Sequence, residues 1–235
     1  MRCPRCGRTA ADTDKYCAEC GMFLRDAFVD HRLLHALWHQ QEGRNKEARQ
    51  ELQRLVEAEP EHVLASHILG SMYYHQGTLD QAIEYYQRAL ELAPKSQVCA
   101  YDLGVAWFHR GNVEEAIKVF LHCLELNPNY NAAHYRLGIC YFHVGRLDEA
   151  LEHFEKCGSL TPEYLMSSFH IGVIHQGRGD LDAAAREFER DLDGLVGNAA
   201  RLCHLAQIRR EQGRIEEAEE LFKQAGQFGD DVKWE

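Results

Sequence analysis

"YYHQG" (residues 73–77), "WFHRG" (107–111) and "YFHVG" (141–145) are three versions of one phrase, set 34 residues apart. The same step runs in both directions, through Gly43, Gly77, Gly111, Gly145, Gly179 and Gly213. Five residues after these glycines stand Ala48, Ala82, Ala116, Ala150, Ala184 and Ala218. Seven residues before them stand Ala36, Gly70, Gly104, Gly138, Gly172 and Ala206. Nine residues after come Leu52, Tyr86, Phe120, Phe154, Phe188 and Phe222. A fixed period of this length marks supersecondary units that bury their apolar faces by stacking.

Each unit reads as two helices. The glycine permits the turn between them, the small residues let them cross closely, and the aromatic fills the space between neighbours. Pro60, Pro94, Pro128 and Pro162 close the first four units, because proline cannot continue a helix. Asp80, Glu114, Glu115, Asp148 and Glu149 open second helices, where negative charge suits the positive end of the dipole.

This pattern resembles the tetratricopeptide repeat, and "AIEYYQRALELAP" (82–94) is close to the family consensus. The resemblance spans residues 29–232 as six units: 29–62, 63–96, 97–130, 131–164, 165–198 and 199–232. It implies an all-α, right-handed α-solenoid with the first helix of each unit on a concave face. The first unit departs from the pattern with His35 and His39 at usually apolar positions. Units five and six lack the closing proline. End units of such stacks are atypical because they cap it, and the sixth, with Arg209, Arg210 and Glu211, is expected to cap itself.

The resemblance also names the groove positions. Counted from each unit's start, the fifth residue is Leu33, His67, Tyr101, Tyr135, Phe169 or Cys203. The sixth includes Asp102, Arg136 and His170. The ninth includes Val105 and Ile139, the twelfth Tyr74, Phe108 and Phe142, and the thirteenth His75, His109 and His143. Separate residues (Leu69, Tyr73, Leu103, Trp107, Leu137 and Tyr141) serve the core, so the groove aromatics are a surplus. A surplus apolar strip marks a binding surface, suited to an extended peptide or an amphipathic helix from a partner protein. Asp102 and Arg136 are placed to orient it. Family members that clamp C-terminal carboxylates use Lys and Asn here. Tyr101, Asp102, Val105 and His109 stand in their stead, so that clamp is not carried over.

The thirteenth-position histidines read as polar groove wall. Packed helices lie about 8–10 Å apart and Zn–N bonds are about 2 Å, so three histidines on three units do not converge on one ion. A pH-responsive patch is an alternative. His31, His35 and His39 form a second row, read as packing against what precedes it.

What precedes it is "CPRCG…CAECG". Cys3, Cys6, Cys17 and Cys20 are spaced C-x2-C-x10-C-x2-C, each pair followed by glycine. Four thiolates suit tetrahedral Zn²⁺ and leave no open coordination site, so one structural zinc is expected. For so short a segment the metal supplies most of the folding energy. Residues 1 to about 22 resemble small zinc-ribbon modules, and residues 1–25 are taken as that domain, with Met22, Phe23 and Leu24 bridging it to the first unit. Iron in a rubredoxin-type knuckle and redox chemistry of a CxxC pair are the alternatives. Arg2, Arg5, Arg8 and Lys15 against Asp12, Asp14 and Glu19 make a weak nucleic-acid footprint, so a cap or docking knob is preferred to a DNA or RNA reader. The pairing of repeats with a four-cysteine module resembles the lipopolysaccharide assembly protein B family. There the order is reversed and a membrane anchor precedes the repeats, so that role is not carried over.

Composition agrees. A formal charge of −11 argues against nucleic-acid binding by the whole chain. No apolar run is long enough for a membrane span. Nine cysteines, an odd number, fit a reducing cytoplasm. No phosphate loop, nucleophile elbow or H-E-x-x-H appears, and Cys123 and Cys157 read as small core residues. The chain is therefore expected to be a cytoplasmic, non-enzymatic adaptor. Self-association, with the groove filled through Phe228 or Trp234 of another copy, is a further expectation.

Overall fold

A computed structural model describes residues 2, 3, 7–9, 17, 30–157, 162–190 and 198–230, with backbone alone for 162–165, 198 and 227–230. The described residues contain twelve α-helices. They are α1 (His31–Gln41), α2 (Asn45–Ala58), α3 (Val63–His75), α4 (Leu79–Leu92), α5 (Gln97–His109), α6 (Val113–Leu126), α7 (Asn131–His143), α8 (Leu147–Lys156), α9 (Pro162–Gly177), α10 (Leu181–Glu189), α11 (Asn198–Glu211) and α12 (Ile215–Asp230). Odd-numbered helices are the first helices of the six units and even-numbered ones the second; Pro162, expected to close the fourth unit, instead opens α9, since proline suits the first turn of a helix. No strand occurs among the described residues, and none of the helices is long and apolar enough to cross a membrane.

The glycine period is a period of helix ends. At Gly77 (φ 77°) the glycine N–H donates to Tyr74 O (2.9 Å) and the Thr78 N–H donates to Tyr73 O (3.0 Å). This is a Schellman motif, which needs a left-handed residue just past the helix. The same two bonds recur at Gly43, Gly111, Gly145, Gly179 and Gly213, all at positive φ. The residue after the glycine is then the N-cap of the next helix, as at Arg44, Thr78, Asn112, Arg146 and Asp180, so one residue type at one position makes both the stop and the turn.

The small residue seven places earlier has a different task. A β-carbon on Gly104 would lie 2.7 Å from the Phe120 ring, and Gly70, Gly138 and Gly172 meet Tyr86, Phe154 and Phe188 in the same way. Glycine lets the two helices of a unit close until the ring lies flat on bare backbone. Phe120, Phe154 and Phe188 are completely buried as a result.

The chain divides into two compact bodies, Met1–Ala133 and His134–Glu235. The core of the first joins Leu33, Leu52, Leu55, Leu69, Tyr73, Tyr86 and Leu103, with Trp107 packed on it. Leu33, expected in the groove, is therefore core, drawn in with Ala36 and Ala48. Repeat junctions in this body reuse one bond: Arg88 donates to Pro60 O (3.0 Å) and His122 to Pro94 O (3.1 Å), 34 residues on. A core cluster of the second body gathers Ala184, Ala185, Phe188, Leu205 and Ile208. There Arg201 is buried and donates to the carbonyls of Glu187 (3.2 Å) and Arg190 (3.4 Å) and to Ser168 Oγ (3.0 Å).

Near the N-terminus, Cys3 N–H donates to Arg8 O (2.8 Å), Gly7 N–H donates to Cys3 O (2.9 Å), and Gly7 has φ 75°. Cys3 and Cys17 are both buried. Cys6, Cys20 and the bridging Met22, Phe23 and Leu24 lie outside the described residues, as does Trp234, while Phe228 is described by its backbone alone.

Candidate functional site

The first helices place the expected groove residues by the helical repeat. Positions seven and eight of each first helix turn toward the second helix, so positions five, nine and twelve come to another face. In the first body His67, Tyr74, Tyr101, Asp102, Val105 and Phe108 are half-buried, and His75 and His109 are exposed. In the second, Tyr135, Arg136, Ile139, Phe142, Phe169 and His170 are half-buried, and His143 is exposed. None of them joins the fully buried core.

Within each body these side chains touch across repeats. His67 Nε2 donates to Asp102 Oδ2 at 2.7 Å, so Asp102 has an internal partner and is not a free ligand-orienting acid. The Tyr74 ring meets His109 edge-on, with centroids 5.6 Å apart. Tyr101 sits 5.8 Å from Phe120 and 5.4 Å from Tyr130. In the second body His170 stacks on Phe154 at 5.0 Å and lies 5.7 Å from Phe142 and 6.2 Å from Tyr135.

His204 repeats this arrangement one unit on. It stacks on Phe188 at 5.0 Å, meets Phe169 at 5.4 Å, and donates through Nδ1 to Gln176 Oε1 at 2.8 Å. His204 is not among the groove residues expected from the sequence, although its step from His170 is the repeat length. The sixth position is thus the one that reaches back to the fifth and twelfth residues of the preceding unit.

Burial holds His170 neutral: it pushes the imidazole down to about 4, helped by His143 and Arg201. His204 is lowered by burial as well. His153 is pushed down to about 4 by burial and then by His134, whose Nδ1 lies 3.0 Å from its own Nδ1. An unfolded histidine titrates near 6.5. Between about 6.5 and 4 the unfolded chain therefore binds more protons than the folded one, and stability falls as pH falls. The urea midpoint of the second body is expected to be level above pH 6.5 and to drop from there toward pH 4, and His170→Phe to flatten the drop. A midpoint independent of pH across that window would contradict the burial.

The thirteenth-position histidines each lie against the ring before them, His75 at 5.5 Å from Tyr74 and His109 at 5.6 Å from Phe108. Among the described residues no three His, Cys, Asp or Glu side chains gather as a metal site. The Cys123 thiol is pushed up to about 12 by burial and then by Asp102, and burial does the same to Cys140. Neither is a thiolate at neutral pH, as a nucleophile would have to be.

Profiles of the tetratricopeptide repeat match residues 33–97, 73–122, 132–164 and 199–225. No curated protein matches the sequence. Among solved structures, MamA is 24% identical over 76% of this chain and 96% of its own, with a TM-score of 0.63. YrrB, described as a TPR protein with an unusual peptide-binding site, is 19% identical over 77% of this chain and 93% of its own, at 0.64. PilF of Pseudomonas aeruginosa is 18% identical over 86% and 92%, at 0.69. Identities this low speak to the fold alone. The profile matches cover well over half of the chain and coincide with the helix pairs described above: the chain belongs to the tetratricopeptide-repeat family.

Proposed function

We propose that the chain is a protein-interaction adaptor whose first-helix face holds a peptide or helix of a partner protein. The observation that carries this reading is the set of half-buried rings at positions five, six and twelve. They touch one another across repeats, as the Tyr74–His109 and Phe142–His170 contacts do, and Tyr74, Tyr101 and Phe169 pack on the core without being fully buried in it. Rings already fixed by their neighbours lose little freedom on binding, and pre-organised aromatic surface is what interface anchors require. His67 and Asp102 satisfy each other within the wall. The partner's anchors are therefore apolar, and its backbone or polar groups meet His75 and His109 at the rim. The fold likeness to YrrB, described as peptide-binding, is in keeping with this. The test is affinity capture from native extract, comparing wild type with the folded variant Tyr101→Ser/Phe108→Ser/Phe142→Ser. A partner retained by wild type and lost by the variant is expected; an unchanged partner list would refute the groove.

The N-terminal module is proposed as a structural zinc ribbon that serves as a docking module. Cys3 and Cys17 fit the role: both are buried, and at Gly7 the chain turns back, its N–H donating to Cys3 O. Cys3, Cys6, Cys17 and Cys20 would hold the ion, which would supply folding energy and no reaction. One zinc per chain is expected by elemental analysis of protein purified without added metal, and none in Cys17→Ser/Cys20→Ser. Zinc persisting in that variant would contradict the assignment.

A further inference from the structure

The six repeats are built alike, so a residue exposed in one and buried in the others marks a missing neighbour. Phe222 of α12 is such a residue. Its counterparts Tyr86, Phe120, Phe154 and Phe188 are 3%, 0%, 0% and 0% exposed, whereas Phe222 is 37% exposed. The cause is visible one and two repeats earlier. Phe154 and Phe188 are each covered by a ring from the next first helix, His170 and His204, stacked at 5.0 Å. Among the described residues no first helix follows α12. Ile215, at the start of the same helix, is 50% exposed. The sixth repeat therefore does not cap itself.

The opposite vacancy lies on α1. Trp38 holds the tenth position, which in repeats two, three, five and six is Met72, Ala106, Ile174 or Ile208, all buried where α2 meets α3, α4 meets α5, α8 meets α9 and α10 meets α11. Trp38 is 46% exposed, and Leu34, the counterpart of His170 and His204, is also 46% exposed. His31 and His35 stand at the third and seventh positions, buried in those other repeats, and both are exposed. The Arg44 guanidinium lies over the Trp38 ring at 4.1 Å and fixes it in place. Among the described residues, then, α1 is a first helix without a preceding second helix, and α12 is a second helix without a following first helix.

We propose that these two faces meet between copies: α1 of one molecule packs on α12 of another, continuing the repeat register head to tail. Charge supports this pairing over like-with-like. Helix α12 exposes Glu216, Glu217, Glu219 and Glu220 against one exposed cation, Lys223, among its described side chains, so two α12 helices repel. Helix α1 contains no acid and exposes His31 and His35. Each docked pair leaves one free α1 and one free α12, a heterologous contact that propagates unless it closes into a ring. This surface is separate from the partner-binding face and does not depend on it.

The test is sedimentation velocity of the full chain from micromolar to millimolar concentration, with circular dichroism on every variant. The wild-type mass is expected to rise with concentration past the dimer. Phe222→Glu and Trp38→Glu are each expected to raise the concentration at half-association at least about tenfold, as loss of a central aromatic anchor does. Ile215→Glu and Leu34→Glu repeat the test should either first variant unfold. The decisive sample is an equimolar mixture of Phe222→Glu and Trp38→Glu. It holds one intact face of each kind and should form a heterodimer that stops at two. A wild type that stays monomeric, as it would if residues 18–29 of its own chain covered α1, overturns the proposal. So does a variant that dimerises alone at the wild-type concentration, or a mixture that does not associate.

Discussion

Phe120→Ala is expected to lower the stability of the first body by about 3–5 kcal/mol, the range for truncating a fully buried aromatic. The ring is completely buried, lies against the bare backbone of Gly104, and is flanked by Tyr101 at 5.8 Å. Truncation leaves a cavity that rigid helix backbones on either side cannot close. The converse change tests the same contact. Gly104→Ala places a methyl group 2.7 Å from the ring, closer than atoms pack, and forces α5 and α6 apart. Combining Gly104→Ala with Phe120→Leu should cost less than the sum of the two, because the smaller side chain makes room for the methyl group. Urea denaturation of the four proteins checks this. Strict additivity would show that the ring and the glycine do not share a contact.

Arg201→Ala is expected to cost about 3 kcal/mol, the scale for losing the hydrogen bonds of a charged donor and leaving buried acceptors unpaired. The guanidinium serves the carbonyls of Glu187 and Arg190 at the end of α10, and it also binds Ser168 Oγ. Positive charge at a helix C-terminus is itself favourable. Arg201→Lys should recover little, since an ammonium group cannot span two carbonyls and a hydroxyl with the planar fork of arginine. A lysine variant as stable as wild type would reduce the role of Arg201 to its charge.

The helices, their ends and their pairing were legible in the sequence because each rests on a residue type with one physical use. Glycine at a left-handed helix stop, a small residue under a ring, and the ring itself recur at fixed spacing, and each does in the structure what its chemistry predicts. Side-chain partnerships were less legible. Asp102 read as a free acid because its partner His67 is 35 residues away, one repeat plus one position. His204 was passed over because its unit lacks the aromatic at position twelve, where Gln176 of the preceding unit supplies a hydrogen bond instead. Leu33 looked like groove wall by position, yet in a repeat with no described predecessor it turns into the core. The end repeats are where position counting fails, since burial there depends on a neighbour that the period does not supply.

The most direct test of partner binding at the first-helix face is photocrosslinking. Benzoylphenylalanine would replace Phe108, a half-buried ring at the twelfth position, and in a second protein Leu121, exposed on the second helix α6. Each would be irradiated with the partner identified by capture. Crosslinks from position 108 and none from position 121 are predicted. Crosslinks from position 121 alone would place the partner on the other face and contradict the account.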